Sequence, residues 1–355
     1  MNVIKNILKI AGAGIVAVAL LSGIFAFYYL QPAHIDNTQG NTDYVWIANS
    51  RWLKMTEGIS WGRFDADGYN NETVVENPDI MVLGSSHTEA TNVPQGSDFS
   101  ALLAEKLSGD YSVYNMGISG HHFLKVCQYL PQNLARYETA PKAVIIETDN
   151  LTFTAQEIEA MLAGDIAKSP SYNTGFIALT QKSPFFAALY SQVQGGLIDL
   201  LMPDKAKLLD LATKAEPFVP LSVLSPSSPV MSEEEALNEA YTKLFRYLDG
   251  LQQEYNTQII IFNHIYGEPQ PDGSAKFVHQ DIIPLFAEMC DSYNISFVDM
   301  TDHFEEVYRT EHILPHGFVT GKIGYGHLNA DGHAMIADVL YQTVLQLNEE
   351  GRLCR

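Results

Sequence analysis

The sequence predicts an α/β fold, a three-layer, flavodoxin-like sandwich with a parallel sheet of about five strands, preceded by one transmembrane helix. Five short apolar runs, each followed by small polar residues or an acidic one, are typical of buried parallel strands. Segments with helical spacing alternate with these runs, which indicates right-handed βαβ units. An uncharged stretch over residues 10–30 is long enough to cross a membrane.

Composition limits the classes of function. The chain has 355 residues, 46% of them hydrophobic, which suits one large domain with insertions. Its formal net charge of -21 repels phosphate backbones, so nucleic acid is excluded as a partner. The cysteines Cys127, Cys290 and Cys354 are widely spaced and match neither a metal-site pattern nor a catalytic signature. We therefore expect no metal and no cofactor.

The N-terminal segment predicts the location of the protein. Lys5 and Lys9 precede the apolar stretch, and Asp36 and Asp43 follow it. The positive-inside rule then places residues 1–9 in the cytoplasm and everything after the stretch outside the membrane. A cleaved signal peptide is the alternative, although the stretch is long for one and no small-residue cleavage site follows it. We expect a single-pass membrane protein with an extracytoplasmic domain.

The remaining chain divides into two parts. Residues 31–77 are expected to form a linker and then an aromatic-rich N-terminal flap beside the sheet. Residues 78–355 form the sheet domain. Its strands are predicted at residues 80–83, 111–116, 143–147, 258–262 and 295–298. Helices are predicted at residues 97–107, 121–137, 232–254, 280–293 and 331–347. The β pattern lapses over residues 152–230, which we interpret as a helical and loop insertion.

The first predicted strand runs into the tight turn Gly84-Ser85-Ser86. Open α/β sheets bind ligands at the carboxyl ends of their strands, and the N–H groups of such a turn can hold an oxyanion. Ser86 is therefore the candidate nucleophile. The alternative is that both serines only cap the following helix.

A glycine-rich loop places His327 just before the last helix. A neutral imidazole at that edge of the sheet can take a proton from a serine hydroxyl, because its ordinary pKa lies near neutrality. His333 falls on the helix itself, where a capping or packing role is favoured.

Four segments, in this order, resemble the sequence blocks of the SGNH (GDSL-type) hydrolase superfamily. The four are Gly84-Ser85-Ser86-His87, Asn115-Met116-Gly117-Ile118-Ser119-Gly120, Thr148-Asp149-Asn150 and His327 to His333. The resemblance covers residues 78–348 apart from the insertion. It implies a nucleophilic Ser86 and a basic His327. It also implies an oxyanion hole made of the Ser86 and Gly117 N–H groups and the Asn150 side chain.

The chain departs from the family pattern in two places. Gly324 stands where the family usually carries an aspartate that orients the histidine. A backbone carbonyl or another acid must then do so, and Asp302 is the candidate acid. The third block lacks its usual glycine, so Asp149 is the alternative to Asn150. His87 and His121 are candidates for the pocket mouth, with ordinary surface roles as the alternative.

The resemblance implies acyl transfer through an acyl-enzyme on the serine. Anchored, outward-facing members of the family resemble enzymes that add or remove O-acetyl groups on cell-surface glycans. We therefore expect an esterase or O-acyltransferase whose partners are an acylated or acyl-accepting glycan and a membrane acyl-donor protein. The alternative is an inactive relative that binds glycan or scaffolds a polysaccharide export complex.

Overall fold

The computed structural model describes residues 2–25, 34–36, 44–54, 57–166 and 233–353. Most of the insertion predicted at residues 152–230 lies outside the described residues.

Helix α1 (Asn2–Phe25) is the candidate membrane span. Its segment Ile4–Ile24 has a mean hydropathy of 2.2 and none of it is buried in the protein, so it is long and apolar enough to cross a bilayer. The helix begins earlier than residue 10 and includes Lys5 and Lys9, because lysine is a good helix former.

The flap that follows is built from short antiparallel pairs. Strand β1 (His34–Asp36) pairs with β2 (Tyr44–Trp46), and β3 (Arg51–Lys54) pairs with β4 (Ser60–Arg63). Trp46, Trp52 and Phe64 form a small apolar cluster of their own, in which the Trp46 and Phe64 rings stack at 5.0 Å. This cluster is separate from the core of the sheet domain, whereas Val45 and Tyr69 of the flap pack into that core.

Polar contacts join the flap to the sheet domain. The Tyr114 hydroxyl donates to Asp65 Oδ2 over 2.8 Å, and Asn71 Nδ2 donates to the carbonyl of Asn115 over 2.9 Å. The Trp46 indole N–H donates to the Glu89 carboxylate. These bonds tie the flap to the second strand of the sheet and to the segment that follows the first.

The remaining strands are β5 (Ile80–Leu83), β6 (Val113–Asn115), β7 (Ala143–Thr148), β8 (Gln258–Asn263), β9 (Gly267–Pro269), β10 (Ala275–Phe277) and β11 (Ser296–Asp299). Strands β9 and β10 form a separate hairpin. The other five form one parallel sheet in the order β11-β8-β7-β5-β6. This is the flavodoxin-like strand order, so the predicted fold class is confirmed.

The helices after α1 are α2 (Ser86–Glu89), α3 (Phe99–Lys106), α4 (Phe123–Leu134), α5 (Ala155–Leu162), α6 (Glu233–Tyr255), α7 (Ile283–Ser292), α8 (Thr301–Glu311) and α9 (Ala330–Glu349). Helices α4 to α7 cover one face of the sheet, and α3, α8 and α9 cover the other. Alternate residues serve the two faces, since Met81 and Leu83 point to the first and Ile80 and Val82 to the second.

Candidate active site

The nucleophile turn joins β5 to α2. A side chain at Gly84 would place its Cβ 2.1 Å from Thr88 Oγ1 and 2.5 Å from Glu147 Oε2, so only glycine fits. Ser85 is the cap of α2, and its Oγ accepts from the His87 N–H over 3.3 Å. The capping role that the sequence left open for both serines thus belongs to Ser85. Ser86 is the first residue of α2.

Ser86 lies next to a histidine, and the histidine in turn contacts an acid. His327 Nε2 lies 3.0 Å from Ser86 Oγ. The other ring nitrogen, Nδ1, forms a hydrogen bond with Glu57 Oε2. A carboxylate only accepts hydrogen bonds, so Nδ1 carries the proton and the lone pair of Nε2 faces the serine hydroxyl. A nucleophile, base and orienting acid in this order can perform acyl transfer.

The glycines around His327 explain why the acid comes from the flap. Gly324 has a φ of +79°, and a Cβ there would lie 2.5 Å from Pro269 Cδ and 2.6 Å from the Gly267 carbonyl oxygen. An aspartate at that position is therefore excluded sterically. At Gly326 a Cβ would lie 2.2 Å from Glu57 Oε1. The loop that carries His327 thus has a glycine, without a side chain, at the place where the Glu57 carboxylate packs.

The structure does not bring Asp302 to His327, which corrects the expectation that this residue is the orienting acid. The Asp302 side chain is 91% exposed at the start of α8, and its Oδ1 lies 3.9 Å from His279 Nδ1. A backbone carbonyl does not orient the ring either, because Glu57 occupies Nδ1. No spacing in the sequence pointed to Glu57, which precedes His327 by 270 residues.

Two residues that were expected to donate hydrogen bonds to the oxyanion form hydrogen bonds with other protein groups. The Gly117 N–H donates to Asn115 Oδ1 over 2.9 Å, and a Cβ at Gly117 would lie 2.4 Å from the Glu89 nitrogen. Gly117 thus allows close packing against α2. Asn150 is exposed, its Nδ2 donates to the Thr152 carbonyl over 3.5 Å, and its Oδ1 accepts from the Thr152 N–H over 2.9 Å. The expectation that Gly117 and Asn150 form the oxyanion hole is therefore corrected.

The Ser86 N–H has no acceptor within the described part of the chain. Gly120, which ends the turn that Gly117 begins, is exposed and has a φ of +83°. The turn that carries Gly120 lies beside the nucleophile turn, because the Ile118 N–H donates to the Gly84 carbonyl over 3.0 Å.

A buried carboxylate lies beneath that turn. Glu147 Oε2 accepts from the Ser85 N–H over 2.7 Å, the Ser85 hydroxyl over 2.8 Å and the Thr88 hydroxyl over 3.1 Å. Glu147 Oε1 lies 3.0 Å from His264 Nε2. Burial alone would raise the pKa of Glu147, but the hydrogen bond and charge of His264, the charge of His87 and the Ser85 N–H lower the pKa to about 2. Glu147 is therefore an anion that holds the turn in place.

Three histidines converge beside this carboxylate. One ring nitrogen from each of His87, His264 and His316 lies within 4.8 Å of the others, and imidazoles are common ligands of transition metals. The spacing of the cysteines predicts no metal site, but these three histidines are not part of that pattern. His264 Nδ1 lies 3.1 Å from His316 Nε2, and His87 Nδ1 accepts from the Leu328 N–H over 3.3 Å. Most of these nitrogens are thus already hydrogen-bonded to protein groups.

The same histidines form the wall of a cavity of about 230 Å³. Its lining residues are His87, Asp149, His264, Ile265, Tyr266, His316, Tyr325, Gly326 and His327. Asp149, the alternative in the third block, thus faces the cavity, and its Oδ2 lies 4.0 Å from His87 Nε2. A larger cavity of about 340 Å³ lies between the flap and α3 and contains neither Ser86 nor His327. The smaller cavity is the one next to the reactive groups.

Comparisons with known proteins give a likeness in chain arrangement only. No protein family description and no curated protein matches the chain. LAE5, an alpha/beta hydrolase enzyme from the metagenome of Lake Arreo, is 15% identical with a TM-score of 0.38, over 77% of this chain and 95% of that one.

Two esterases give similar values. Axe2, an acetylxylan esterase from Geobacillus stearothermophilus, is 15% identical with a TM-score of 0.36, over 74% of this chain and 92% of its own. The acetyl xylan esterase AlAXEase is 12% identical with a TM-score of 0.39, over 75% and 99% of the two chains. TM-scores this low carry no argument about activity or substrate.

Two further histidines lie away from the reactive groups. His121 is buried and stacks on Tyr129 at 5.9 Å, and it is not among the residues that line the cavity beside His327. His333 is buried on α9, and its Nδ1 accepts from the Phe99 N–H over 3.2 Å. Burial, together with the charge of His264, lowers the pKa of His333 to about 3, so the ring is a neutral packing group.

Proposed function

We propose that this protein is a serine-dependent acyl ester hydrolase or O-acyltransferase that acts through Ser86, His327 and Glu57. The observation that carries the proposal is the continuous contact from Ser86 Oγ through both nitrogens of His327 to the Glu57 carboxylate. Ser86 and His327 come from opposite ends of the sheet domain and Glu57 from the flap. Three separate segments therefore converge on one chemical arrangement.

The geometry supports a two-step reaction. His327 Nε2 takes the hydroxyl proton as Ser86 Oγ bonds to the ester carbonyl carbon, and Glu57 stabilises the imidazolium. The tetrahedral intermediate collapses, its bond to the leaving oxygen breaks, and His327 returns the proton to that oxygen. Water or an acceptor hydroxyl then attacks the acyl-enzyme by the same route in reverse. Water yields a free acid, and an acceptor hydroxyl yields a new ester.

Backbone N–H groups supply the hydrogen-bond donors that stabilise the oxyanion. We assign this role to the Ser86 N–H, which has no other acceptor within the described residues, and to the N–H of Gly120 in place of Gly117. We leave Asn150 out of it, because its exposed amide group, including the Nδ2 donor, turns to the backbone of Thr152.

The substrate class and the location rest on other support. The SGNH resemblance of the four sequence blocks supports an acylated or acyl-accepting glycan as substrate, and for transfer it implies a membrane acyl-donor protein as partner. The apolar segment Ile4–Ile24 supports an uncleaved anchor, with the N-terminus cytoplasmic and the sheet domain outside.

An inactive, glycan-binding or scaffolding protein is the other candidate. It was motivated by the missing aspartate at Gly324. Since Glu57 contacts His327 Nδ1, that motivation no longer holds.

Active-site labelling tests the proposal directly. The full chain in detergent should react with a fluorophosphonate probe at Ser86 and hydrolyse p-nitrophenyl acetate. Ser86→Ala should abolish both, while Ser85→Ala should keep labelling at a reduced rate because it loses only the cap and a bond to Glu147. Absence of labelling in the wild type, or labelling that Ser85→Ala rather than Ser86→Ala removes, would refute the assignment.

A further inference from the structure

We propose that Asn92 and Lys54 are positioning residues that hold the Glu57 carboxylate against His327. The proposal rests on the proposed function. Glu57 stands in the loop between β3 and β4, and its side chain is 31% exposed. A partly exposed glutamate has several accessible rotamers, so a defined place against the imidazole requires other groups to hold it.

Asn92 holds Glu57 at two points. Its side chain Nδ2 donates to the Glu57 backbone carbonyl over 3.2 Å and lies 3.4 Å from Glu57 Oε2. The second acceptor is the same oxygen that contacts His327 Nδ1. Asn92 is only 2% exposed, so its amide is fixed by packing. One amide group therefore sets both the loop backbone and the reactive carboxylate oxygen.

Lys54 decides which way the Asn92 amide points. The Lys54 ammonium donates to Asn92 Oδ1 over 3.0 Å. An ammonium has donors only, so the amide oxygen must face Lys54 and the amide NH₂ must face Glu57. The reversed amide would place two donors together and its oxygen against a carboxylate. The order Lys54, Asn92, Glu57, His327, Ser86 is thus a continuous series of matched donors and acceptors.

The charge of Lys54 has the sign that this role requires. Burial lowers the pKa of Lys54, while the carboxylates of Glu89 and Glu57 oppose that effect. Glu89 is itself held by the Trp46 indole and by Ser119. The Lys54 ammonium therefore lies near Glu57, where a cation favours the ionised carboxylate that the reaction needs.

The loop around Glu57 closes onto the same groups. Gly58 has a φ of +81°, and a Cβ there would lie 2.5 Å from the carbonyl oxygen of Asn92. The Gly58 N–H donates to Thr320 Oγ1 over 2.8 Å, and Ser60 Oγ donates to the carbonyl of Thr91 over 2.6 Å. The loop is therefore bonded to the segment after α2 and to the loop that carries His327.

A double-mutant cycle on the full chain in detergent tests the proposal, with p-nitrophenyl acetate as substrate. Asn92→Ala should lower kcat by about 10²-fold, since small misplacements of a catalytic group have effects of that size, and should leave KM near its wild-type value. In a Glu57→Ala background the same substitution should have little further effect, because the side chain that it positions is already gone. A merely structural role predicts that the two losses multiply.

Lys54→Met is the second variant, with an expected loss of about 10-fold in kcat and the same lack of effect in the Glu57→Ala background. It decides the question if Asn92→Ala does not fold, which thermal unfolding reveals. Lys106→Met, which removes an exposed lysine paired with Asp338, is the matched control and should leave kcat unchanged.

Two kinds of failure are distinguishable. A wild type that the fluorophosphonate probe does not label overturns the proposed function and this inference with it. A labelled, active wild type with multiplying losses, or with wild-type kcat in both variants, overturns the inference alone.

Discussion

Replacing Glu57 by glutamine removes one charge and almost no volume. The side chain is 31% exposed and that of His327 27%, so the substitution should have little effect on folding. If the amide oxygen takes the place of Oε2, it still accepts from His327 Nδ1 and from Asn92. What the variant loses is the attraction between the carboxylate and the imidazolium that forms when Ser86 attacks.

The size of that loss follows from the geometry. Opposite charges about 4 Å apart attract by about 4 kcal/mol at the effective dielectric constant near a protein surface. Solvent reaches both side chains and screens part of this attraction, which leaves about 3–4 kcal/mol. At about 1.4 kcal/mol per tenfold change, kcat should fall about 10²–10³-fold with KM nearly unchanged. This is less than the roughly 10⁴-fold loss seen where such an acid is fully buried.

The assay is steady-state hydrolysis of p-nitrophenyl acetate by the wild type, Glu57→Gln and Asp302→Asn. The last is the matched control, since Asp302 is 91% exposed and faces His279. It should keep wild-type activity. A Glu57→Gln enzyme within twofold of wild type, or a loss of 10²-fold or more in Asp302→Asn, would refute the assignment of the acid.

Three other outcomes are expected. Gly324→Asp, which restores the family's usual acid, should lower Tm and not raise kcat, because its Cβ would collide with Pro269 and the Gly267 carbonyl. His333 has a folded pKa of about 3, so its contribution to stability is complete above about pH 6.5 and is lost as the pH falls towards 3. Urea unfolding of His333→Gln should therefore show a pH dependence smaller by about 1.4 kcal/mol per pH unit between pH 6 and 4. The native protein should stay in the membrane fraction after a carbonate wash, whereas a soluble form that begins near residue 31 would show a cleaved signal peptide.

The fold was predictable because the three middle strands, β5, β7 and β8, are fully buried. Each of them is an apolar run bounded by polar residues, and such runs are visible without a structure. Helix α8 was missed because its buried residues are few, with Thr301 and Phe304 as its fully buried positions. The hairpin of β9 and β10 has three-residue strands and no alternating pattern long enough to detect.

Within the site, Ser86 and His327 stand in local motifs whose glycines and small polar residues are readable in sequence. Glu57 does not. It lies in a loop between two four-residue strands, and its role depends on how the flap packs against a loop 270 residues away. Gly117 was misassigned because a glycine that allows close packing and one that exposes an N–H look alike in sequence.

The flap sets a limit on how this protein can be shortened. The sheet begins at Ile80, so a recombinant version trimmed to the sheet domain would keep Ser86, His327 and the residues that line the cavity. It would lack Glu57 and Lys54, together with the flap's cluster of Trp46, Trp52 and Phe64. Such a fragment would also lose Val45 and Tyr69 from the main core and the Asp65 acceptor of the Tyr114 hydroxyl, so it would be both less stable and nearly inert. Its inactivity would be misread as that of a degenerate relative. A soluble version intended for enzymology has to start before Tyr44.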